Sequence, residues 1–301
     1  MPPRLFDDED VRRRLDAATA VRAVRAALLA HQAGELAAPA RLHAALGGGS
    51  LVFTAGRLRE RGLFGFRAYD TFAGAEQLVA LWDAGSGKVV ALVHGHELGP
   101  RRTGAIGAVA ADAAANPGPV RVGLVGAGVQ AWTQLWALVA VRPVTEVVVT
   151  ARRRERVEAF AERARRELGL RVRVTDSAEE AVRDRDVVIA ATNSATPVLD
   201  ASWISPGTHV TTLGPKTVSR HEVPAGLARR AGAVLTDSLA QSRDQDEELV
   251  FAHLPTTELG AVVAGAAAAR TDSRGITLFS SVGLAGTEVA VAAALYEAAG
   301  G

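Results

Sequence analysis

Residues Arg121 to Ala131 read RVGLVGAGVQA. Val122, Leu124 and Val125 make a short apolar run, Gly126-Ala-Gly128-Val129-Gln130-Ala131 follows, and a helix-like pattern comes next. That order is the strand–turn–helix of a dinucleotide-binding βαβ unit. Gly126 is expected to make the tight turn off the strand. Gly128 is expected to let the backbone close on a pyrophosphate, because a Cβ there would take the phosphate's place. Ala131 stands at the third position, where only a small residue lets helix pack on strand. A second strand, Val144–Thr150, ends about twenty residues further on, as such a unit requires.

Downstream of this stretch strand and helix alternate. Strands are expected over 121–125, 144–150, 172–175, 187–191, 210–213 and 233–235, with helices over 129–141, 155–168 and 178–183. Alternation of this kind predicts an α/β fold with a doubly wound parallel sheet and helices on both faces. Upstream the pattern changes. Residues 7–35 read as two helices, the first capped by Asp7 or Asp8 and the second stopped by Gly34. Strand-like runs follow at 51–54, 63–70, 77–83 and 89–94, the last two joined by the loop Ala84-Gly-Ser-Gly as a hairpin. A helix opened by Pro100 runs through Ala115 with a face of Ala and Gly, suited to close packing. Asn116-Pro-Gly-Pro is the linker to the nucleotide domain.

The bulk of the chain fits this picture. With 301 residues, 48% of them apolar, it can bury one large or two medium cores. A net charge of +1 gives no field for nucleic acid or an anionic membrane. No apolar run is long enough to span a bilayer, and the start MPPRLFDDEDVRRR is too charged for a signal peptide, so a cytoplasmic protein is expected. The chain has no cysteine, which excludes disulfides, thiolate metal sites and Cys nucleophiles. Of 34 basic residues only Lys88 and Lys216 are lysines.

The end of the second strand selects the cofactor. An acid there would hold the ribose 2′-hydroxyl of NAD, whereas arginine accommodates a 2′-phosphate. The chain has Thr150-Ala-Arg152-Arg153-Arg154 and no acid before Glu155. Arg152 and Arg153 therefore point to NADPH, with NADH as the alternative. Thr192, Asn193 and Ser194 follow the fourth strand, where loops line the cofactor crevice, and also suit an ordinary βα turn. Lys216, in Gly214-Pro-Lys216, sits on the next such loop. It reads either as an amine near the nicotinamide or as an exposed surface charge. Arg41, Arg67 and Arg102 fall at loop or strand ends, and guanidinium groups clamp carboxylates. His94-Gly-His96 lacks a third metal ligand and reads as strand polarity, so no metal site is expected. Asp244–Leu249 reads as an acidic helix face or cap.

Taken together, these segments resemble the ornithine cyclodeaminase/mu-crystallin family over nearly the whole chain. The likeness rests on Pro39-Ala-Arg41, Arg102-Thr103-Gly104-Ala105, Gly126-Ala-Gly-Val-Gln130-Ala131, Ala191-Thr192-Asn-Ser, Gly214 with Glu222, Asp237-Ser238 and Thr277-Leu-Phe279-Ser-Ser281-Val-Gly283. It implies a two-domain subunit of a homodimer. Residues 1–116 with the returning helix 288–301 would form the α+β substrate-binding and dimerisation domain, and 117–287 the Rossmann NAD(P)-binding domain. Arg41 and Arg102 match residues that bind the substrate carboxylate. Thr103, Gly126, Gly128, Val129, Gln130, Ala131 and Gly214 fall with the cofactor.

Two positions depart from the family. Arg67 stands where a lysine is usual, and Lys216 where ornithine cyclodeaminases have an aspartate. A lysine at 216 would repel the ammonium of ornithine, which weakens the lyase reading. Arginine cannot give up a proton near neutral pH, so any acid role of the usual lysine passes to Lys216. The expectation is an NADPH-dependent reductase of the C=N bond of a small α-imino acid, cyclic or open, reversible as an amino acid dehydrogenase. Arg41, Arg67 and Arg102 would hold the carboxylate, with Arg67 and Lys216 as the candidate catalytic residues, Lys216 alternatively binding a second carboxylate. Phe53, Phe64 and Tyr69 are the candidates for the substrate's side-chain pocket. The alternatives are an ornithine cyclodeaminase, a non-catalytic NADPH-binding protein of mu-crystallin type, and opine-like condensation.

Overall fold

A computed structural model describes residues 2–72 and 76–300 as two compact units, one of residues up to Ile106 with those from Gly283, the other Gly107–Val282. The first unit begins with β1 (Arg4–Phe6), α1 (Asp8–Arg14) and α2 (Ala17–Gln32). Asp7 caps α1 by accepting from the Asp10 N–H, and Asp16 caps α2 by accepting from Thr19. Asp8, the other candidate cap, instead accepts the N–H groups of His96 and Glu97, each at 2.8 Å.

Six strands follow: β2 (Leu36–Ala37), β3 (Leu42–Ala45), β4 (Ser50–Leu58), β5 (Leu63–Asp70), β6 (Gln77–Asp83) and β7 (Val89–Gly95). They form one sheet in the order β1-β7-β6-β5-β4-β2, with β3 also on β4. All pairs are antiparallel except β1 on β7, a short parallel edge too brief to show a sequence period. Then α3 (Leu98–Ala114) runs from the first unit into the second. The division therefore falls inside α3, ten residues before the linker at Asn116. The reason is packing: Ala111 and Ala115 belong to the core of the second unit, beside Val120 and Leu135.

The second unit alternates β8 (Val120–Val125), α4 (Val129–Leu138), β9 (Val144–Thr150), α5 (Arg154–Leu168), β10 (Val172–Val174), α6 (Ala178–Val182), β11 (Val187–Ala190) and β12 (His209–Thr212). It continues through α7 (Ala225–Arg230), β13 (Ala231–Thr236), α8 (Leu239–Arg243), β14 (Thr256–Glu258), α9 (Leu259–Val263) and β15 (Ile276–Ser280). The sheet is parallel throughout, in the order β10-β9-β8-β11-β12-β15-β13-β14. Both of its faces are covered. Leu124, Val147 and Val149 feed one core with Trp132 and Phe160, while Val125, Val148 and Val188 feed the other with Leu227 and Leu278. Alternate side chains of the same strands go to opposite faces, which is why these strands read as continuous apolar runs.

The strand β15 slots between β12 and β13, so the chain's last strand is internal to the sheet. The acidic stretch 244–249, expected as a helix face or cap, is corrected in part: Asp244 is the C-cap of α8, but beyond it Glu247 holds the N–H and hydroxyl of Ser219 at 2.7 Å each, so the rest pins a loop and is not a helix face. From Gly283 the chain rejoins the first unit, where α10 (Thr287–Ala298) packs on α2, β4, β5 and β6. Among the described residues no helix is long and apolar enough to cross a membrane, and no three His, Asp or Glu group to hold a metal.

Candidate functional site

The strand β8 hands the chain to α4 through Gly126, whose φ is +118°. A Cβ on Gly126 would lie 2.3 Å from the Ala191 carbonyl oxygen, so both conformation and space demand glycine. At Gly128, which precedes α4, a built Cβ meets nothing within 4 Å, and no side chain caps the helix. The space beside the first backbone N–H groups of the helix is therefore open, as a phosphate there would require. Ala131 is fully buried against the sheet. Val129 is exposed, and the Oε1 of Gln130 is buried with no hydrogen-bond partner. These residues fit the pyrophosphate of a dinucleotide.

Between β9 and α5 the three arginines divide. Arg154 is engaged by Glu158 at 2.8 Å and Asp176 at 2.9 Å. Arg152 and Arg153 are exposed and form no ion pair among the described residues. The two loops beyond β11 and β12 are tied together by Glu222. Its fully buried carboxylate accepts from Thr192 N–H (2.7 Å) and hydroxyl (2.8 Å), Thr212 hydroxyl (2.8 Å), Leu213 N–H (2.9 Å) and Gly214 N–H (2.5 Å). A Cβ on Gly214 would lie 2.1 Å from the Thr192 carbonyl oxygen, so these loops meet only through glycine. Ser194 spends its hydroxyl locally on the Thr196 carbonyl at 2.7 Å, and Asn193 is exposed. The ammonium of Lys216 folds back onto its own loop, donating to the carbonyls of Gly214 at 2.7 Å and Leu213 at 3.2 Å.

In the first unit the structure brings Arg41, Arg67 and Arg102 together. Arg67 lies on β5 with Tyr69 and, across the register, Thr54, Val79 and Gln77. That is the face α10 covers. Its Nε donates to Gln77 at 2.8 Å, its Nη1 to Glu288 at 3.2 Å, and its guanidinium lies 4.2 Å from the centre of the Tyr69 ring. Arg102, on α3, donates from Nη2 to the same Oε1 of Glu288. Its sequence neighbour Arg101 points elsewhere, to Glu97 at 3.0 Å and the Leu15 carbonyl at 3.2 Å, as a 100° step around a helix dictates. Arg41 donates to the Gly283 carbonyl at 3.2 Å. A methyl built on Gly283 would sit 2.8 Å from Arg102 Nη1 and 3.4 Å from Arg41 Nη2, so both guanidinium groups flank that residue. Thr103, one step along α3, donates its hydroxyl to the Gly99 carbonyl at 3.1 Å.

Charge follows from this geometry. Burial pushes the Glu288 carboxyl up, but Arg102 and Arg67, with Arg41 behind them, outweigh it and hold the group below the usual carboxylate range. Burial lowers the Arg67 guanidinium, against the pull of Glu288. Phe53 and Phe64 are corrected. They pair with Ala68 and Arg57, so they stand on the opposite face of the sheet from Arg67, and only Tyr69 shares its side. Glu288 escaped notice in the sequence, although a signal was there. It is one acid in the first turn of a helix otherwise buried from Thr287 to Leu295, and a carboxylate in such a place must be paired.

A parallel doubly wound sheet with an open glycine turn between its first strand and helix defines the class, a dinucleotide-binding α/β protein. The family model described as Ornithine cyclodeaminase/mu-crystallin family matches residues 5–301, and the chain belongs to that family. A Delta(1)-pyrroline-2-carboxylate reductase of Bacillus cereus is 33% identical over 230 residues, 74% of this chain and 70% of the relative. The solved structure of the Thermococcus litoralis Delta(1)-pyrroline-2-carboxylate reductase in complex with NADH and L-proline has a TM-score of 0.88 at 26% identity, over 98% of this chain and 97% of that one. An archaeal alanine dehydrogenase dimer with bound NAD has a TM-score of 0.88 at 27% identity, over 99% and 96%.

Proposed function

We propose that this chain is an NADPH-dependent reductase of the C=N bond of a small α-imino acid, such as a cyclic pyrroline- or piperideine-2-carboxylate, and that it runs in reverse as an amino acid dehydrogenase. The observation that carries the reading is the convergence of Arg41, Arg67 and Arg102, a cationic cluster suited to a carboxylate. The relatives' pyrroline-2-carboxylate, L-proline and NADH support it.

In this reading the backbone at Gly126 and Gly128, with Val129, Gln130 and Ala131, cradles the pyrophosphate. Thr192, Asn193, Ser194 and Gly214 line the ribose and nicotinamide, and Thr103 stands with the cofactor residues. Arg152 and Arg153, free of acidic partners, take the 2′-phosphate and favour NADPH over NADH. The bound nicotinamide supplies hydride to the imine carbon. The arginines hold the carboxylate and draw electron density from that carbon. The imine nitrogen becomes an amine by gaining a proton, for which Lys216 is the proposed donor. Positioning supplies most of the rate, because a protonated imine already accepts hydride well. A second copy of the chain is the proposed partner of the first unit's sheet.

Turnover tests the reading. Loss of NADPH absorbance with pyrroline- and piperideine-2-carboxylate, faster than with NADH and yielding L-proline or L-pipecolate, is the expected result. Formation of proline and ammonia from ornithine without net NADPH consumption would replace it with the lyase. Tight NADPH binding without turnover of any imine would make the chain a binding protein.

A further inference from the structure

Three guanidinium groups repel one another, and something must hold them within reach of a single ligand. Arg67 comes from a strand and Arg102 from a helix far along the chain, and both donate to one oxygen, Oε1 of Glu288. Glu288 is almost fully buried, at 1% side-chain exposure, against 4% for Arg102 and 15% for Arg67. Its other oxygen, Oε2, is buried with no hydrogen-bond partner, and so is Nε of Arg102. A carboxylate that spends one oxygen on two cations and leaves the other unused is not placed to maximise its own hydrogen bonding. It is placed to draw two like charges together. What Arg102 keeps is Nη1, on the side of Gly283, where the absence of a side chain leaves it room beside Arg41.

We propose that Glu288 is a positioning residue that sets the spacing of Arg67 and Arg102, and thereby makes the cluster a receptor for one substrate carboxylate. The idea rests on the reductase reading above and deepens it. With Glu288 ionised, three arginines and one carboxylate leave a net charge of +2, and the guanidinium groups stay in register for a bidentate ligand. Without that charge, Arg67 and Arg102 separate, and the ligand meets one at a time.

The test is calorimetric binding of pyrrole-2-carboxylate, a planar and unreactive carboxylate, to protein saturated with NADPH, together with KM and kcat for pyrroline-2-carboxylate. Glu288→Gln keeps the size and an acceptor oxygen but removes the charge. It is expected to weaken carboxylate binding by about ten-fold or more and to raise KM more than it lowers kcat, with NADPH affinity unchanged. Glu288→Asp restores the charge at shorter reach and should fall between the two. It is also the variant that keeps the test alive if Glu288→Gln does not fold, with a loss of about three-fold expected. Binding by Glu288→Gln as tight as wild type, or tighter, overturns the proposal, and so does a Glu288→Asp protein indistinguishable from wild type. Absence of carboxylate binding and imine turnover in the wild type would instead remove the reductase reading itself.

Discussion

At the scale of single residues the proposed chemistry turns on Lys216. Two carbonyls that accept from Lys216 belong to its own loop, at Leu213 and Gly214. That loop is fixed from behind by Glu222, which satisfies the N–H groups of both residues. The frame that carries the lysine is therefore anchored. Lys216→Ala is expected to lower kcat for imine reduction by about a hundred-fold, the usual worth of a positioned acid, while KM for NADPH stays put. Steady-state kinetics across pH would check this, and unchanged turnover would strip Lys216 of the role. The contrast with Arg67 is physical: a guanidinium paired with Glu288 and Gln77 holds charge but cannot release a proton near neutral pH.

At the scale of elements, β12 carries a group whose protonation state governs stability. His209 is fully buried between the hydroxyls of Thr277 at 2.8 Å and Thr211 at 3.1 Å. Burial, and then the charge of Arg270, push its pKa from 6.5 down to about 3. The native state keeps the ring neutral, so below pH 6.5 the unfolded chain takes up a proton that the folded chain refuses. Stability from this site is complete above that pH and is lost toward pH 3, at roughly 1.4 kcal/mol per unit. Urea denaturation at pH 7, 5.5 and 4.5 should show wild type losing stability faster than His209→Gln, and parallel losses would refute the assignment. The same elements show what periodicity can and cannot carry. The strands 63–70, 77–83 and 144–150 were legible to the residue, because runs rich in apolar and β-branched residues, set off by Gly62, Asp70, Asp83 and Pro143, leave little choice. The insertion of β15 between β12 and β13 was not, because sheet order is decided by long-range pairing and no local signal encodes it. The candidate site divided in the same way. Gly126, Arg102 and Lys216 sit in motifs, whereas Glu288 gains its meaning only when α10 returns to β5.

At the scale of the whole molecule, one surface asks for a partner. In the first unit's sheet, the face turned away from α10 carries Phe53, Phe66 and Ala68 beside Leu78, Ala80, Phe64 and Trp82. Phe64 and Trp82 stack with ring centres 5.7 Å apart, and Phe66 joins them at 5.7 Å. Phe64 is 36% exposed and Leu78 37% in the single chain. Contiguous aromatic surface of this kind on a sheet marks an interface. The same face explains the wrong placement of Phe53 and Phe64 near the substrate, since their pairing parity sends them outward. A second copy covering this face through a two-fold axis would bury these rings in a core of their own kind, as closed homodimers do. Sedimentation equilibrium of the wild type is expected to give twice the mass of one chain. Phe64→Glu combined with Leu78→Glu places two desolvated carboxylates in each half of that interface, and should weaken association by about a hundred-fold or more. Both positions are already partly exposed in the single chain, so the variant should fold, keep its far-UV circular dichroism and sediment as a monomer. A wild type that runs as a monomer, or a doubly charged variant that stays a dimer, would move the interface elsewhere on the molecule.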